Sequence, residues 1–474
     1  MSHRRGRTLV LPAAVAGVAV VLAACSGGGE GDDGGTADGG GEAGGTITVW
    51  TMESLPDRFQ ATQEIAAAFT EETGVKVDLV GIEDAQAPQL IQSNALSGDL
   101  PDVMASFPLA LVHQMASLDM VDTETTQAVL DTLGEDTFDP AALELTRQGE
   151  DQLSIPSDGW SQILVYRKDL FEAAGLEPPT TYAALEEAAQ ALTTGGQFGI
   201  TIATDASDVF TQQSFEALAL GNGCQLVDDT PEVTLADDAC QETFRLYDAL
   251  GSDLSPAGTQ TVDSTRAAYF AGQAAMVMWS TYILDEMAGL RNDALPTCPE
   301  CAADPAWLAQ NSGVVTTIEG PDGEDAGSYG EIANWVAING DNPEGAQAFI
   351  EYMMSTGYTD WLAMAPEGKF PMRTGDQDNP SAFTDAWADL DAGVDTRAPL
   401  SDFYDEQTLD ILTSVGETID RWALPQGQGP LLGSFTAELP LAGAISDMTA
   451  GSLSPDQAAE QAADAATEML QRQQ

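Results

Sequence analysis

The cysteines are the residues whose type and spacing most directly suggest chemistry. Four of the five fall into two close pairs, Cys224 with Cys240 and Cys298 with Cys301. In an oxidising compartment an even number of cysteines suggests disulfides; four cysteines allow three pairings, of which this one is the most local. The spacing Cys298-Pro-Glu-Cys301 would also suit redox chemistry or a metal. The chain has only two histidines, so it offers few of the ligands that a Cys/His metal site needs. We therefore expect structural disulfides with no metal and no cofactor.

The fifth cysteine, Cys25, ends a leader that has the pattern of a secretory signal peptide. Three arginines lie within the first seven residues, and an apolar run over 9–24 follows. The sequence Leu22-Ala23-Ala24-Cys25 resembles a bacterial lipobox, which implies cleavage before Cys25 and a diacylglycerol on its thiol. An ordinary signal peptide with an incidental cysteine is the alternative; a retained membrane span is disfavoured, because about 16 apolar residues are short for a bilayer. We therefore expect residues 1–24 to be removed and the remainder to be extracytoplasmic, anchored to the cell membrane by lipid.

The charge of the chain is strongly negative. It has 76 acidic and 16 basic residues, a formal net charge of −60. Such a surface repels nucleic acid, which argues against nucleic acid as a partner, and it disfavours anionic ligands. The acidic residues are spread through the chain rather than collected in one tail. This favours a surface adapted to a salty medium, where the Debye length falls to about 3 Å at 1 M salt.

The elements that must position any site begin after residue 45. Residues 25–45 are mostly Gly, Asp and Glu, which predicts a disordered tether with a reach of about 25 Å. Alternating or short apolar runs then predict strands at 46–50, 75–79 and 102–105, separated by helical patterns that end at Gly74 and Gly98. This strand–helix–strand–helix–strand order predicts parallel pairing, and the chain is long enough for two or more domains.

Several motifs, taken in order, carry a family resemblance. They are residues 98–103 (GDLPDV), 153–160 (LSIPSDGW), 164–171 (LVYRKDLF), 270–276 (FAGQAAM), and 334–338 (NWVAI) before Asn342-Pro343. Together they resemble the extracellular solute-binding proteins of family 1, the maltose-binding-type lipoproteins of ABC transporters. The resemblance implies an α/β, two-lobe periplasmic-binding-protein-like fold of type II with a hinge between the lobes. Lobe 1 would comprise 46–155 and 330–372, and lobe 2 would comprise 156–329 and 373–474.

Candidate ligand residues follow from the strand ends and from the resemblance. Neutral sugars offer an apolar ring face and a belt of hydroxyls, so their sites need flat aromatic surfaces with polar groups at the rim. Ligands in α/β lobes lie beyond the carboxyl ends of strands. That rule selects Trp50, Glu53 and Ser54 after the first strand and Ser106 and Phe107 after the third. The resemblance adds Asp158, Trp160, Ser161, Trp279, Tyr282, Asn334, Trp335 and Arg373.

Each of these residues has a structural alternative. An aromatic residue at a strand end, such as Trp50, is a core residue about half the time. Arg373 either binds ligand oxygens or pairs with one of the many carboxylates. Glu53 and Asp158 either accept hydrogen bonds from ligand hydroxyls or cap local backbone.

The resemblance implies a function in import. The protein would be the lipid-anchored, monomeric substrate-binding component of an ABC importer, capturing a carbohydrate between its lobes and delivering it to the permease subunits in the membrane. A non-sugar solute such as a polyol, glycerol phosphate or a peptide is an alternative. A secreted glycoside hydrolase is another alternative. Such an enzyme needs two carboxylates about 5–9.5 Å apart, but in so acidic a chain some pair would meet this condition by chance, so the condition does not identify a hydrolase. The chain also has no Gly-x-Ser-x-Gly, His-Glu-x-x-His or phosphate-loop motif, so we predict that it is not an enzyme.

Overall fold

The computed structural model describes residues 45–83, 86–323 and 326–473. The predicted signal peptide, Cys25 and nearly all of the predicted tether lie outside these residues. The strands are β1 Thr46–Thr51, β2 Lys76–Gly81, β3 Val103–Pro108, β4 Arg147–Gln148, β5 Asp151–Gln152, β6 Ile155–Arg167, β7 Met276–Ser280, β8 Ser312–Val315, β9 Ser328–Ala337, β10 Phe370–Pro371, β11 Asp391–Ala392, β12 Ala398–Pro399 and β13 Ile419–Asp420.

Helices connect and cover these strands. They are α1 Pro56–Thr73, α2 Ala87–Ser97, α3 Leu109–Ser117, α4 Thr123–Leu133, α5 Pro140–Leu145, α6 Lys168–Ala174, α7 Tyr182–Leu192, α8 Val209–Gly221, α9 Asp238–Ser252, α10 Val262–Phe270, α11 Ile283–Met287, α12 Trp307–Gln310, α13 Pro343–Met353, α14 Tyr358–Leu362, α15 Ala382–Ala388, α16 Glu406–Thr413, α17 Val415–Thr418, α18 Gly429–Glu438, α19 Pro440–Thr449 and α20 Pro455–Gln473. Short 3₁₀ turns lie at Glu135–Thr137, Pro366–Gly368 and Leu400–Asp402.

The first three long strands form the parallel unit that the sequence predicts. β1 pairs in parallel with both β2 and β3, and α1 connects β1 to β2. Pro56 starts α1 at a position where its missing N–H costs nothing, and Gly74 ends the helix in the left-handed conformation that glycine adopts without strain. One face of α1, with Ile65 and Phe69, is buried. The predicted order of strands and helices is therefore confirmed in this region.

Two long strands carry the chain from one part of the sheet to another. β6 pairs antiparallel with β9 from Ile155 to Ser161, and from Gln162 onward it pairs with β7 and then β8. β9 also pairs with β3, so the strand order is β10-β6-β9-β3-β1-β2, with β7 and β8 on β6 and β13 on β9. β10 makes a third crossing, pairing with β6 at Asp158 and Gly159. We call these connections the first (β6), second (β9) and third (residues 366–373) crossovers.

The hydrophobic residues gather on both sides of these crossovers. The first core contains Ile47, Phe69 and Trp335. A smaller, separate cluster contains Met104 and Phe107 of β3. The second core contains residues of β6, β7, α8 and the C-terminal helices α18–α20. After the third crossover, Phe383 of α15 packs in the first core and Trp387 in the second. The chain thus forms two lobes joined by strands.

The cysteine pairing follows the most local of the three predicted arrangements. Disulfides join Cys224 to Cys240 and Cys298 to Cys301. Among the described residues, no group of three or more His, Cys, Asp and Glu side chains is placed to hold a metal. Within the same residues no helix has the length and apolar character needed to cross a bilayer.

One local prediction about β3 is wrong. Ser106 and Phe107 were expected to follow the strand, but β3 continues to Pro108 and keeps pairing with β9. The strand does so through a bulge between Ala105 and Phe107, at which Ser106 has a φ of 63°. A serine in the left-handed region is uncommon, and bulges of this kind re-aim a side chain next to a binding site.

Candidate functional site

Three segments that are distant in sequence meet at a buried cluster of charges. Glu53 follows β1, Asp158 lies on the first crossover, and Lys369 lies on the third. The Lys369 Nζ is 2.5 Å from Glu53 Oε1 and 3.1 Å from Asp158 Oδ2. The three residues are only 1–7% exposed. The fold therefore brings two of the predicted site carboxylates to one ammonium group at the junction of the lobes.

The charges of this cluster stabilise one another. Burial alone raises the pKa of Glu53, but the positive charges of Lys369 and Arg58 outweigh it and lower that pKa to about 2. Burial lowers the pKa of Lys369, yet the neighbouring Asp158 and Glu53 carboxylates raise it above its ordinary value. Glu53 and Lys369 are therefore both ionised at neutral pH.

Asp158 organises the crossovers as well as contacting Lys369. Its Oδ1 accepts hydrogen bonds from Ser157 Oγ at 2.7 Å and from Trp361 Nε1 at 2.5 Å, and its Oδ2 accepts from Lys369. The Lys369 Nζ also lies 4.3 Å from the ring centroid of Trp361, a cation–π distance. Asp158 thus ties the first crossover to α14 and to the third crossover.

The outer edge of the cluster is more exposed. The bulged Ser106 donates from Oγ to Glu53 Oε1 at 3.1 Å. Arg58 Nη1 lies 3.4 Å from Glu53 Oε2, and its guanidinium is 5.7 Å from the ring centroid of Tyr282. Ser54, Ser106, Arg58 and Tyr282 are all partly exposed. Residues from the β1 and β3 ends therefore meet the loop after β7 at this edge.

Aromatic rings lie next to these polar groups. The Trp160 ring centroid is 6.2 Å from that of Tyr282 and 5.9 Å from that of Tyr329. The Tyr282 hydroxyl donates to the Gly368 carbonyl at 3.4 Å, which links the loop after β7 to the third crossover. Trp160 and Tyr282 keep part of their surface exposed. A flat aromatic surface beside carboxylates, a hydroxyl and a guanidinium can stack on a ring and exchange hydrogen bonds with its hydroxyls.

Other predicted site residues lie inside the lobes rather than at this edge. Phe107 and Trp335 are fully buried in the cores, where Trp335 packs on Phe349 and Trp361. The fully buried Asn334 accepts from Ser154 Oγ at 2.9 Å and donates to two backbone carbonyls. These side chains hold the second crossover in place.

Arg373, Trp279 and Ser161 are also committed to internal contacts. The Arg373 guanidinium donates to the carbonyls of Leu133 and Met354 and to Thr137 Oγ1, at 2.5–3.0 Å. Trp279 is 6% exposed, and its indole donates to the Val262 carbonyl. Ser161 donates to the Tyr329 carbonyl. Their contacts are structural, and we leave these three residues out of the proposed ligand set.

Sequence reasoning missed Lys369, Arg58 and Trp361. Lys369 is one of three lysines in the chain and lies close to the predicted lobe boundary at residue 372, so a rare lysine at that position was the available signal. Arg58 lies in the first turn of α1, and its position in the sequence gave no such signal. Trp361 lies within a helical pattern, where an aromatic residue normally indicates core.

The fold and the junction between its lobes define a class: two-lobe solute-binding proteins. Residues 53–360 match the family described as bacterial extracellular solute-binding protein. The chain belongs to this family, whose members bind solutes and are not enzymes, so the hydrolase alternative is dropped.

Individual relatives agree with this assignment. The Escherichia coli K12 protein YcjN, named for an ABC transporter periplasmic-binding role, is 26% identical over 346 residues, covering 71% of this chain and 74% of that protein. The GacH receptor of Streptomyces glaucescens, solved unliganded and with acarbose, has a TM-score of 0.65 at 22% identity, covering 90% of this chain and 98% of that one. A solute-binding protein of Agrobacterium radiobacter K84, solved with ribitol, has a TM-score of 0.62 at 17% identity, with coverage of 90% and 98%. These likenesses confirm the predicted two-lobe α/β fold.

Proposed function

We propose that this protein is the substrate-binding component of an ABC importer and that it captures a carbohydrate between its lobes. The observation that carries the proposal is the junction itself, where Trp160 and Tyr282 lie beside Glu53, Ser106 and Arg58. A sugar needs an aromatic face and both hydrogen-bond acceptors and donors at one place. The chain has 16 basic residues against 76 acidic ones, which suits a neutral ligand better than an anionic one.

The ligand would contact residues of both lobes. Glu53, Ser54, Ser106 and Arg58 would contribute from the β1 and β3 side, and Trp160 and Tyr282 from the crossover and the loop after β7. Because the ligand touches both sides, it favours the arrangement in which the lobes are closed, and closure is a hinge motion about the crossovers. Asp158, Lys369 and Asn334 would hold those crossovers while the lobes move.

The same proposal includes a lipid anchor in the membrane and a permease partner. Cys25 would carry the lipid anchor, and residues 25–45 would tether the lobes near the permease. The relationship to YcjN, a protein named for an ABC transporter, supports the permease as the partner. We keep the lobe boundaries 46–155 with 330–372, and 156–329 with 373–474, as part of this proposal.

A polyol is the second candidate ligand. The structural relative from Agrobacterium radiobacter was solved with ribitol, an acyclic polyol that needs hydroxyl partners but no stacking on a sugar ring. The two candidates differ in their use of the aromatic pair: loss of the Tyr282 ring should weaken a sugar strongly and a polyol little.

Thermal unfolding against a ligand panel tests the proposal. The purified protein is heated at about 0.15 M and about 2 M salt with monosaccharides, oligosaccharides, polyols and peptides. A ligand at 100 times its dissociation constant adds about 2.7 kcal/mol to the free energy of unfolding. A shift for one sugar class, with the sugar recovered unchanged, supports the proposal. Shifts for polyols or peptides alone would overturn the carbohydrate assignment, and a cleaved sugar would overturn the binding role.

A further inference from the structure

One buried glutamine next to the site lacks the partners that such a side chain normally has. Gln162 lies on β6 and is 1% exposed. Neither its amide nitrogen nor its amide oxygen has a hydrogen-bond partner among the described residues. Most buried polar side-chain atoms are hydrogen-bonded, and a buried amide without a partner costs free energy. The unpaired amide of Gln162 therefore needs an explanation.

A second glutamine, Gln152 on β5, shows how the chain pairs a buried amide elsewhere. Gln152 is also 1% exposed. Its amide nitrogen donates to Thr146 Oγ1 at 2.6 Å and to the Ser154 carbonyl at 2.8 Å, and its amide oxygen accepts from Arg147 Nε at 2.9 Å. Two glutamines of equal burial thus differ completely in their hydrogen bonding, so burial alone does not account for Gln162.

Gln162 lies where β6 changes its pairing partners. β6 pairs with β9 as far as Ser161 and with β8 from Leu164. Between these two stretches, Gln162 pairs with β7, at Ser280. The Thr281 N–H donates to the Ser161 carbonyl at 2.9 Å, which holds the loop after β7 against β6. Gln162 is therefore the first residue that follows the pairing of the first crossover with the second.

The side chain of Gln162 is on the same face of β6 as that of Trp160. The pairing is regular on both sides of Gln162, and alternate residues of a strand point to the same face. Trp160 is one of the two rings of the candidate site, and the centroid of the other ring, Tyr282, is 6.2 Å away. Ser280, directly opposite Gln162, precedes Tyr282 by two residues. The unpaired amide thus adjoins the aromatic pair from both strands.

An amide pairs well with a ligand that carries several hydroxyl groups. The nitrogen of a glutamine side chain offers two donors, and the oxygen offers an acceptor. Each hydroxyl of a sugar or polyol can both donate and accept, so two hydroxyls satisfy both ends of the amide. A fully ionised anion only accepts hydrogen bonds and would leave the amide oxygen unpaired.

We propose that Gln162 is a ligand-binding residue, whose amide nitrogen donates to one hydroxyl of the bound solute and whose amide oxygen accepts from another. The inference rests on the proposed function, since it assigns the ligand to the side of Trp160 and Tyr282. It explains why this amide, unlike that of Gln152, has no partner within the described residues. Gln162 should then contribute to affinity without contributing to the stability of the unliganded protein.

The test compares Gln162→Met with Gln152→Met, because methionine keeps most of the volume of glutamine and removes the amide. Calorimetry measures the binding of glucose, maltose and ribitol to the wild-type protein and to both variants, and thermal unfolding is measured without ligand. Gln162→Met should weaken the binding of a probe at least about tenfold, because ligand hydroxyls lose their partner, and should melt no lower than the wild-type protein. Gln152→Met should melt at least about 2 °C lower and keep the wild-type affinity.

The outcomes separate this inference from the proposed function. If a probe binds Gln162→Met as tightly as the wild-type protein, the ligand does not use the amide, and the inference alone is wrong. If Gln162→Met melts lower to the same extent as Gln152→Met, the amide has a structural role and the inference is again wrong. A loss of affinity seen with ribitol alone would support Gln162 as a hydroxyl-binding residue and overturn the carbohydrate assignment. If none of the three probes binds the wild-type protein, both proposals fail for these compounds.

Discussion

Replacing Lys369 by methionine should destabilise the protein far more than replacing any exposed lysine. Lys369 is 1% exposed, and its ammonium is the group between the carboxylates of Glu53 and Asp158. Methionine keeps most of the volume of the side chain but removes the charge. Two buried carboxylates would then face each other at the crossovers, with Arg58 as the remaining nearby cation at Glu53.

The magnitude follows from the pKa of Glu53. Burial raises this pKa, yet it falls from 4.5 to about 2, so the attraction of Lys369 and Arg58 for the ionised carboxylate exceeds the cost of burial by about 3 kcal/mol. Breaking a buried ion pair by removing one partner typically costs about 3–5 kcal/mol. We therefore expect Lys369→Met to lower the free energy of unfolding by about 3–5 kcal/mol at neutral pH.

The loss should depend on pH in a definite direction. A carboxyl group with a lowered pKa stabilises the folded state above its ordinary pKa and loses that contribution as pH falls. The wild-type protein should lose the Glu53 contribution between pH about 4.5 and about 2. In Lys369→Met the burial of Glu53 is no longer offset by this cation, so acid relieves the variant, and the difference between the two proteins should shrink as pH falls.

Urea unfolding, followed by tryptophan fluorescence at neutral and acidic pH, measures both effects. Lys168→Met is the matched control: its Nζ lies 2.6 Å from Asp405 Oδ2, but the two side chains are 34% and 54% exposed, so it should lose under about 1 kcal/mol. If Lys369→Met loses no more than Lys168→Met at neutral pH, the cluster is solvated and the electrostatic reasoning is refuted.

Three further changes test other parts of the molecule. Cys25→Ala should move the protein from the membrane fraction to the soluble one and abolish lipid labelling; continued membrane association would contradict the anchor. Tyr282→Ala should weaken sugar binding at least about tenfold, or about 1.4 kcal/mol, in calorimetry, whereas Trp307→Ala, which removes a partly exposed ring stacked on Arg167, should leave affinity unchanged. Replacing both Cys224 and Cys240 by serine should lower the free energy of unfolding by about 3 kcal/mol, as expected for a loop of this length; an unchanged melting temperature would contradict it.

The fold was predictable where local physics and global order agree. The alternation at 46–50, the glycines at 74 and 98 and the Asn342-Pro343 helix start each determine a local structure, and the structure has them all: Asn342 accepts from the Gly345 N–H, and Pro343 begins α13. The disulfide pairing was predictable because, of the three possible pairings, it is the one that closes the shortest loops. The continuation of β3 past Ser106 was not predictable, because it depends on pairing with β9, more than two hundred residues later.

The site was predictable only in part, because the crossovers break the usual strand rule. Alternate residues of a strand normally face core and solvent in turn. β9 passes between two lobes, so Asn334 and Trp335, on opposite faces of the strand, are both fully buried. The family resemblance selected both residues as ligand candidates, and the sequence did not indicate that both side chains would be buried. Glu53 and Ser106 were selected because the sequence placed both at the carboxyl ends of strands. Glu53 does follow β1, whereas Ser106 reaches Glu53 from a bulge within β3.

Buried cations pair with carboxylates at and next to the crossovers, and this pairing fixes the geometry there. In a protein with a formal net charge of −60, exposed carboxylates are solvated by water and screened by salt, but a buried carboxylate needs a fixed positively charged partner. Lys369 fills that role for Glu53 and Asp158, and Arg421 does so for Glu216 at 3.0 Å and for Glu331 on β9. Salt should therefore change the repulsion between surface carboxylates while leaving these buried pairs nearly unaffected, since ions do not enter them. The contribution of the surface carboxylates to the free energy of unfolding should thus depend on the medium, whereas the contribution of the buried cations should not.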